Sequence, residues 1–291
     1  MNIKDLIGES TTYDKKMMVE EKKPKSWLKS VSAFANCLGG TLIFGVADND
    51  SLVGLSDVKH DSEVISELLK QRLDPIPQTR LEVCRDDGKG FILLHVIAGQ
   101  ETPYYYVADG TRIAYVRIGN ESVPVDANGL RRLILKGSGM TFDSLPSTYK
   151  CADLSFSKLR SVYKLRTSID LSDSDFISFG LMLPTGTLTN AGVLLADDSP
   201  MRQSRLFCTR WNGNDKASGT VDAIDDKEYD GCLISLLQNG EEFIKNNTKK
   251  SWKKTVDDRI EMPDYPERAV TECLVNALIH RDYLELGSEV H

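Results

Sequence analysis

The chain has 291 residues, of which 41% are hydrophobic and 27% charged, the composition of a globular protein of about two domains. This composition excludes disordered and fibrous classes. The longest apolar run, near residues 41–47, is too short to cross a membrane, and residues 1–16 lack the apolar core of a signal peptide. The six cysteines form no CxxC pair, which favours reduced thiols over disulfides or a zinc site. We therefore expect a cytoplasmic protein without membrane contact.

The formal net charge of −7 argues against a surface built entirely for nucleic acid, but the basic residues are clustered. Six lysines lie between Lys15 and Lys29, against two acidic residues, Glu20 and Glu21. Smaller clusters surround Trp252 and lie at residues 131–136. Each cluster could neutralise phosphate groups or simply keep the surface hydrated, and the sequence leaves both interpretations open.

The first half of the chain predicts a mixture of helices and strands. Apolar residues at helical spacing follow Pro24 and stop at Gly39-Gly40, and a buried strand is expected over 41–47. A second helix should end at the DPIP stretch, residues 74–77. Strands follow near 81–84, 91–97, 104–107 and 112–118, and a helix over 127–137 has Asp126 as its candidate cap. This order predicts an α/β (α+β) domain over residues 1–140, with a mixed sheet and flanking helices.

A glycine- and serine-rich boundary at residues 137–148 precedes a second, more helical α/β domain, expected over 150–291. Helices are predicted from Phe156 to Arg166, from the acidic DLSDSD sequence at residues 170–175 through Phe179, and over 228–245. The sequence VLLA, residues 193–196, reads as a buried strand, and 204–213 as another. A last helix should begin at Pro266.

Residues 28–50, LKSVSAFANCLGGTLIFGVADND, with the later VGL and YVRIGNES, closely resemble the Schlafen/AlbA-like DNA-binding domain over about residues 8–136. Asp14-Lys15-Lys16 occupies the place of an acidic-x-lysine element in that family. The resemblance implies binding to DNA or RNA. The residues expected to contact phosphates are Lys15, Lys16, Lys22, Lys23, Lys25 and Lys29, with Arg117 as an outlying candidate.

Some Schlafen relatives are metal-dependent ribonucleases, and the resemblance implies an alternative function of that kind. Glu9 and Asp14 have the required spacing, and Asp48 or Asp50 would supply the third carboxylate. Clustered carboxylates can hold Mg²⁺ or Mn²⁺ beside a phosphodiester. An ordinary surface residue and an ordinary turn explain the same positions, so the sequence leaves open whether the protein is an enzyme.

Residues 189–196, TNAGVLLA, and 265–283, YPERAVTECLVNALIHRDY, resemble a RecG-related family that carries a histidine-kinase-type ATPase fold. Glu272, Asn276 and His280 are spaced four apart, so they should form a polar ridge on an apolar helix. By resemblance Glu272 would orient the attacking water and Asn276 would coordinate Mg²⁺ on the phosphates of ATP. The glycine motifs of that fold are missing before the chain stops at His291, so ATP binding is expected only in a longer chain.

The function favoured by these patterns is that of a DNA-binding regulatory protein, specifically a transcriptional regulator. A ribonuclease and an ATP-binding sensor module are the alternatives. A homodimer is also open, because the apolar run at Tyr104–Tyr106 fits an interface as well as an ordinary strand.

Overall fold

A computed structural model describes residues 10–213, 222–254 and 258–291. The chain divides into two compact units, Met1–Met140 and Thr141–His291. Both contain helices and strands, which confirms the α+β class. No helix in the described ranges is both long and apolar enough to span a bilayer.

The described part of the first unit, residues 10–140, is a succession of eight strands and three α-helices. Its strands are β1 (Tyr13–Lys16), β2 (Gly40–Phe44), β3 (Leu73–Asp74), β4 (Thr79–Asp86), β5 (Lys89–Val96), β6 (Tyr105–Ala108), β7 (Thr111–Ile118) and β8 (Glu121–Pro124). Its helices are α1 (Lys25–Asn36), α2 (Val58–Arg72) and α3 (Ala127–Ser138). The helices and the main strands lie where the sequence predicts them, whereas β1, β3 and β8 were not predicted.

Two four-stranded sheets enclose helix α1. The first sheet has the order β1-β2-β5-β4 and is mixed, because β1 runs parallel to β2 while the other neighbours are antiparallel. The second sheet, β3-β6-β7-β8, is antiparallel. One core cluster joins residues of α1 and α2 to residues of both sheets. Every residue from Ser30 to Asn36 is therefore buried, and α1 reaches solvent only near its beginning.

Helix α1 ends at the double glycine, as the sequence predicts, and the structure gives a steric reason. Gly39 has a φ of +82°, a left-handed conformation that residues with a side chain rarely adopt. A Cβ atom at Gly39 would also lie 2.8 Å from the carbonyl oxygen of Val96 at the end of β5. The tight turn brings the chain from α1 directly into β2.

The buried side chain of Asn36 ties the last turn of α1 to the second sheet. Its Nδ2 donates to the carbonyl oxygens of Tyr104 and Tyr115, at 3.0 and 2.9 Å, and its Oδ1 accepts from the Tyr104 N–H at 2.7 Å. These bonds satisfy backbone groups that have little access to water.

Helix α3 continues past the predicted end at Gly137 and is capped by Gly139, which has a φ of +66°. Asp126 caps its beginning as predicted, accepting from the Gly129 N–H at 2.7 Å. Gly137 has a different purpose, because a Cβ there would lie 1.8 Å from the carbonyl oxygen of Thr102. Close packing, and not helix termination, explains this glycine.

Outside residues 214–221 and 255–257, the second unit has six strands and five α-helices. Its strands are β9 (Pro146–Lys150), β10 (Thr187–Thr189), β11 (Arg205–Trp211), β12 (Ala223–Asp230), β13 (Lys250–Lys254) and β14 (Arg259–Pro263). Its helices are α4 (Ser157–Thr167), α5 (Asp173–Ser178), α6 (Asn190–Leu194), α7 (Leu233–Asn247) and α8 (Glu267–Ile279). The strands form three antiparallel pairs: β9 with β10, β11 with β12, and β13 with β14.

Two predictions for the second unit were wrong. The expected strand at 193–196 begins inside α6, because Thr189 caps a helix by accepting from the Gly192 N–H at 3.2 Å. The expected helix over 228–245 begins only at Leu233, since residues 223–230 pair with β11 as strand β12.

Candidate nucleic-acid interface

Strand β1 carries the Asp14-Lys15-Lys16 sequence along the edge of the mixed sheet. Its backbone pairs with β2, with Lys15 opposite Ile43. Lys15 is only 3% exposed, and its Nζ lies 2.6 Å from Oδ1 of Asp50. Asp50 adopts a left-handed φ of +67° in the turn after β2. The Lys15 ammonium is therefore held inside the domain by an ion pair.

Asp14 and Lys16 point to the other face of the sheet, because neighbouring residues of a strand alternate between faces. The Lys16 Nζ donates to Oδ1 of Asp14 at 2.7 Å, and the hydroxyl of Ser30 in α1 donates to Oδ2 at 2.5 Å. The Asp14 side chain is 3% exposed, whereas that of Lys16 is 24% exposed. Asp14 thus joins β1 to the central helix while it neutralises Lys16.

Arg117 lies in β7 with a side chain only 2% exposed. Its guanidinium donates to the carbonyl oxygens of Ser10 and Tyr13, at 2.8 and 3.3 Å, and to the Ser122 hydroxyl at 3.1 Å. It also lies 5.2 Å from the ring centroid of Phe34. The expectation that Lys15 and Arg117 contact phosphate must be corrected, because their charged groups are buried and hold the domain together.

The other four predicted lysines lie at the entrance to α1. Lys22 and Lys23 are exposed in the segment before the helix, Lys25 is exposed in its first turn, and Lys29 is half-buried one turn later. Lys25 and Lys29 are four residues apart and so lie on one side of the helix. None of the four forms an ion pair with another residue in the described ranges. We call Lys22, Lys23, Lys25 and Lys29 the entrance lysines.

The backbone of α1 adds to the positive potential at this place. The beginning of a helix carries a partial positive charge from its aligned peptide dipoles. Helices usually compensate it with acidic residues, but the first turn of α1 contains none, and Pro24 at the cap provides no side-chain acceptor. The nearest acidic residues in sequence are Glu20 and Glu21, before the entrance lysines. An anion near this entrance would therefore be attracted by side chains and backbone together.

The carboxylates expected for a nuclease do not form a metal site in the part of the chain that the structure describes. Asp14 has both oxygens engaged by Lys16 and Ser30, and Asp50 pairs with Lys15 on the opposite face of the sheet. Asp48 is exposed in the turn that follows β2. Glu9 lies outside the described residues, so the role of that residue stays a prediction.

The three polar residues predicted for ATP lie on or just beyond α8. Glu272 and Asn276 are exposed on the helix, and His280 forms its C-terminal cap. Glu272 accepts from Nε of Arg268 at 2.8 Å. The helix is less buried than its apolar sequence suggests, since Leu278 alone among its described residues is fully buried. The ridge therefore does not need buried partners, and the ATP-related roles of Glu272 and Asn276 stay predictions.

The sequence did not indicate which groups form the ion pair and hydrogen bonds of the buried Lys15 and Arg117 side chains. Asp50 was considered only as a metal ligand, and Ser30 and Ser122 were not considered at all. Asp50 lies 35 residues from Lys15, so no local pattern connects them. Asp50 ends the Asp48-Asn49-Asp50 turn, and this position is only a weak indication of an ion pair. Aspartate is common in such turns because its side chain forms hydrogen bonds with the nearby backbone.

The first unit is thus an α+β domain in which a mixed sheet and an antiparallel sheet enclose one helix whose entrance is basic. Residues 9–126 match the family described as Schlafen, AlbA_2, which is about two fifths of the chain. The Schlafen/AlbA-like domain expected from the sequence is confirmed over these residues.

Two solved structures are similar to this chain. The DIP2311 protein of Corynebacterium diphtheriae is 20% identical, with a TM-score of 0.40, and the match covers 91% of this chain and 52% of that one. The N-terminal domain of a RecG-related protein from Nitrosomonas europaea is 24% identical, with a TM-score of 0.30, and the match covers 40% of this chain and 83% of that domain. The chain spans about half the length of the DIP2311 protein. No curated protein matches it significantly.

Proposed function

We propose that the first unit binds nucleic acid through phosphate contacts made by the entrance lysines. The observation that carries the proposal is the separation of the six clustered lysines into two groups. Lys15 and Lys16 are paired with Asp50 and Asp14, whereas the entrance lysines have no acidic partner in the described chain. The Schlafen, AlbA_2 match over residues 9–126 supports the same ligand class.

Four phosphate contacts would make binding strongly dependent on salt. Each neutralised phosphate of duplex DNA contributes about −0.9 to the slope of log K against log salt. Four contacts therefore predict a slope of about −3.6, which is a loss of roughly 100-fold in affinity between 50 and 200 mM salt. Such contacts position a protein on the nucleic-acid backbone and do not read its sequence.

The proposal is tested by measuring duplex affinity at several salt concentrations by fluorescence anisotropy. The variant Lys22→Gln/Lys23→Gln should bind more weakly at low salt and lower the magnitude of the slope by about 1.8. A matched control is Lys59→Gln/Lys70→Gln, which removes the same charge from exposed positions on α2. Equal effects of the two double variants, or no duplex binding by the unchanged protein, would contradict the proposal.

The finer part of the proposal is that the nucleic acid is DNA and that binding regulates transcription. Its support is the basic entrance described above together with the family match. The test is competition between duplex DNA and duplex RNA of the same sequence, followed by footprinting on genomic DNA fragments. We expect DNA to compete more strongly and to be protected at upstream regions. Stronger competition by RNA would redirect the proposal towards an RNA-associated function.

A further inference from the structure

The hairpin formed by β13 and β14 presents a basic strand to solvent. Every residue of β13, from Lys250 to Lys254, is exposed, and the strand pairs on one edge with β14. Lys249 precedes it and is exposed as well. The hairpin therefore places four lysines along one short extended segment of the second unit.

Most of these lysines are not neutralised by acidic residues in the described chain. Lys250 forms an ion pair with Glu261 on β14. Lys249, Lys253 and Lys254 have no ion pair with any described residue. The acidic residues described near β13 are Asp258 just before β14, Glu261 on β14 and Asp264 after it; none of them belongs to β13, which itself carries only positive charge.

Trp252 lies at the centre of this strand, and its side chain is 54% exposed. Alternation along the strand places it on the same face as Lys250 and Lys254, each about 7 Å away along the backbone. An exposed indole flanked by ammonium groups is the arrangement by which proteins stack a base while they bind the adjacent phosphates.

We infer that the β13–β14 hairpin is a second nucleic-acid contact, which binds single-stranded nucleic acid by stacking a base on Trp252. Lys254, which lies on the same face as Trp252, attracts the phosphate next to the stacked base. This inference rests on the proposed function, but it concerns a different surface and a different form of the ligand. The entrance lysines bind the backbone of a duplex, whereas the hairpin binds unpaired bases.

The test uses the full chain and an oligothymidylate of about 16 nucleotides. The protein has three tryptophans, of which Trp27 is fully buried and Trp211 is 37% exposed. In a Trp211→Phe background, quenching of fluorescence on titration therefore reports on Trp252. We expect quenching by oligothymidylate and an affinity about 5- to 100-fold lower for Trp252→Ala, with Trp252→Phe retaining most of the affinity.

A second pair of measurements separates stacking from charge. The variant Lys254→Gln should reduce the magnitude of the salt slope by about 0.7, whereas Trp252→Ala should leave it unchanged. Inorganic polyphosphate, which has charges but no bases, should bind equally well to the unchanged protein and to Trp252→Ala. An equal loss of polyphosphate affinity in Trp252→Ala, or less than about a twofold loss for oligothymidylate, would overturn the inference.

These experiments distinguish a failure of the hairpin inference from a failure of the proposed function. If Lys22→Gln/Lys23→Gln weakens duplex binding while Trp252→Ala leaves oligothymidylate binding unchanged, the proposed function stands and the hairpin inference is wrong. If duplex binding is absent but the hairpin variants behave as described, the entrance lysines are not the interface and the hairpin remains one.

Discussion

Replacement of Asn36 by alanine should destabilise the first unit far more than its position on a helix suggests. The side chain makes three hydrogen bonds, but their loss does not leave three groups unpaired. The Tyr104 carbonyl oxygen also accepts from the Ser32 hydroxyl at 2.7 Å and stays bonded. The Tyr104 N–H and the Tyr115 carbonyl lose the bonds that Asn36 provides.

The magnitude follows from these two buried groups. An unsatisfied buried donor or acceptor costs about 1–3 kcal/mol, so Asn36→Ala should lower the free energy of unfolding by about 2–6 kcal/mol. A loss of that size is a large fraction of the roughly 5–15 kcal/mol that stabilises a typical domain. The control is Gln71→Ala on α2, which removes an exposed bond to Glu67 and should cost less than about 0.5 kcal/mol.

The assay is urea unfolding followed by tryptophan fluorescence. In a Trp211→Phe/Trp252→Phe background the remaining tryptophan is Trp27, which is fully buried in the core of the first unit and reports on its unfolding. A decrease below about 1 kcal/mol for Asn36→Ala would refute the reasoning, because it would show that water or a rearranged chain satisfies both backbone groups.

Three further predictions concern packing, charge and pH. Gly137→Ala should destabilise the first unit by about 3 kcal/mol or more in the same assay, because the new Cβ meets the Thr102 backbone, whereas Gly139→Ala should cost only about 1 kcal/mol of backbone strain. Lys15→Met should lower the urea midpoint, because it leaves Asp50 without its ammonium partner, but should not change the salt slope of duplex binding. Burial acts to raise the pKa of the Asp197 carboxyl, but hydrogen bonds from Ser155, Lys158 and Ser157 outweigh it and hold the pKa below its ordinary value of 3.8. A depressed pKa stabilises the folded state above pH 3.8, and this stability is lost as pH falls through the lower folded value, so acid titration followed by circular dichroism should show a smaller loss in Asp197→Asn.

The sequence was sufficient where local pattern and tertiary packing favour the same structure. The apolar residues of α1, the double glycine after it and the apolar run of β2 each have a local signature, and all three lie as predicted. Strand β1 has no such signature, since Tyr13–Lys16 contains no aliphatic residue. It is a strand because its backbone pairs with β2 and because α1 supplies the hydroxyl of Ser30 to Asp14.

The error at residues 193–196 has a similar cause. An apolar run of four residues fits a buried strand and a buried helical turn equally well. Two features decide for the helix: the cap at Thr189, and the tight packing of Gly192, where a Cβ atom would lie 2.1 Å from the Leu181 carbonyl oxygen. Neither feature is visible in the apolar run itself.

The candidate site could be predicted only as a cluster of charge. Composition identified all six lysines, but it could not tell which ammonium groups are engaged. That distinction depends on partners far away in sequence, such as Asp50 for Lys15 and the carbonyl oxygens of Ser10 and Tyr13 for Arg117. The same limit applied to the predicted ridge on α8, whose exposure depends on what packs against the helix.

The enclosure of α1 between two sheets affects how the domain would bind a ligand. Because α1 is buried from Ser30 to Asn36, this part of the helix cannot bend or unwind to follow a partner. A preorganised surface loses little conformational entropy when it binds, so association should be rapid and should select for the curvature and groove width of the partner. Such a domain would distinguish nucleic acids by the shape of their sugar-phosphate backbone.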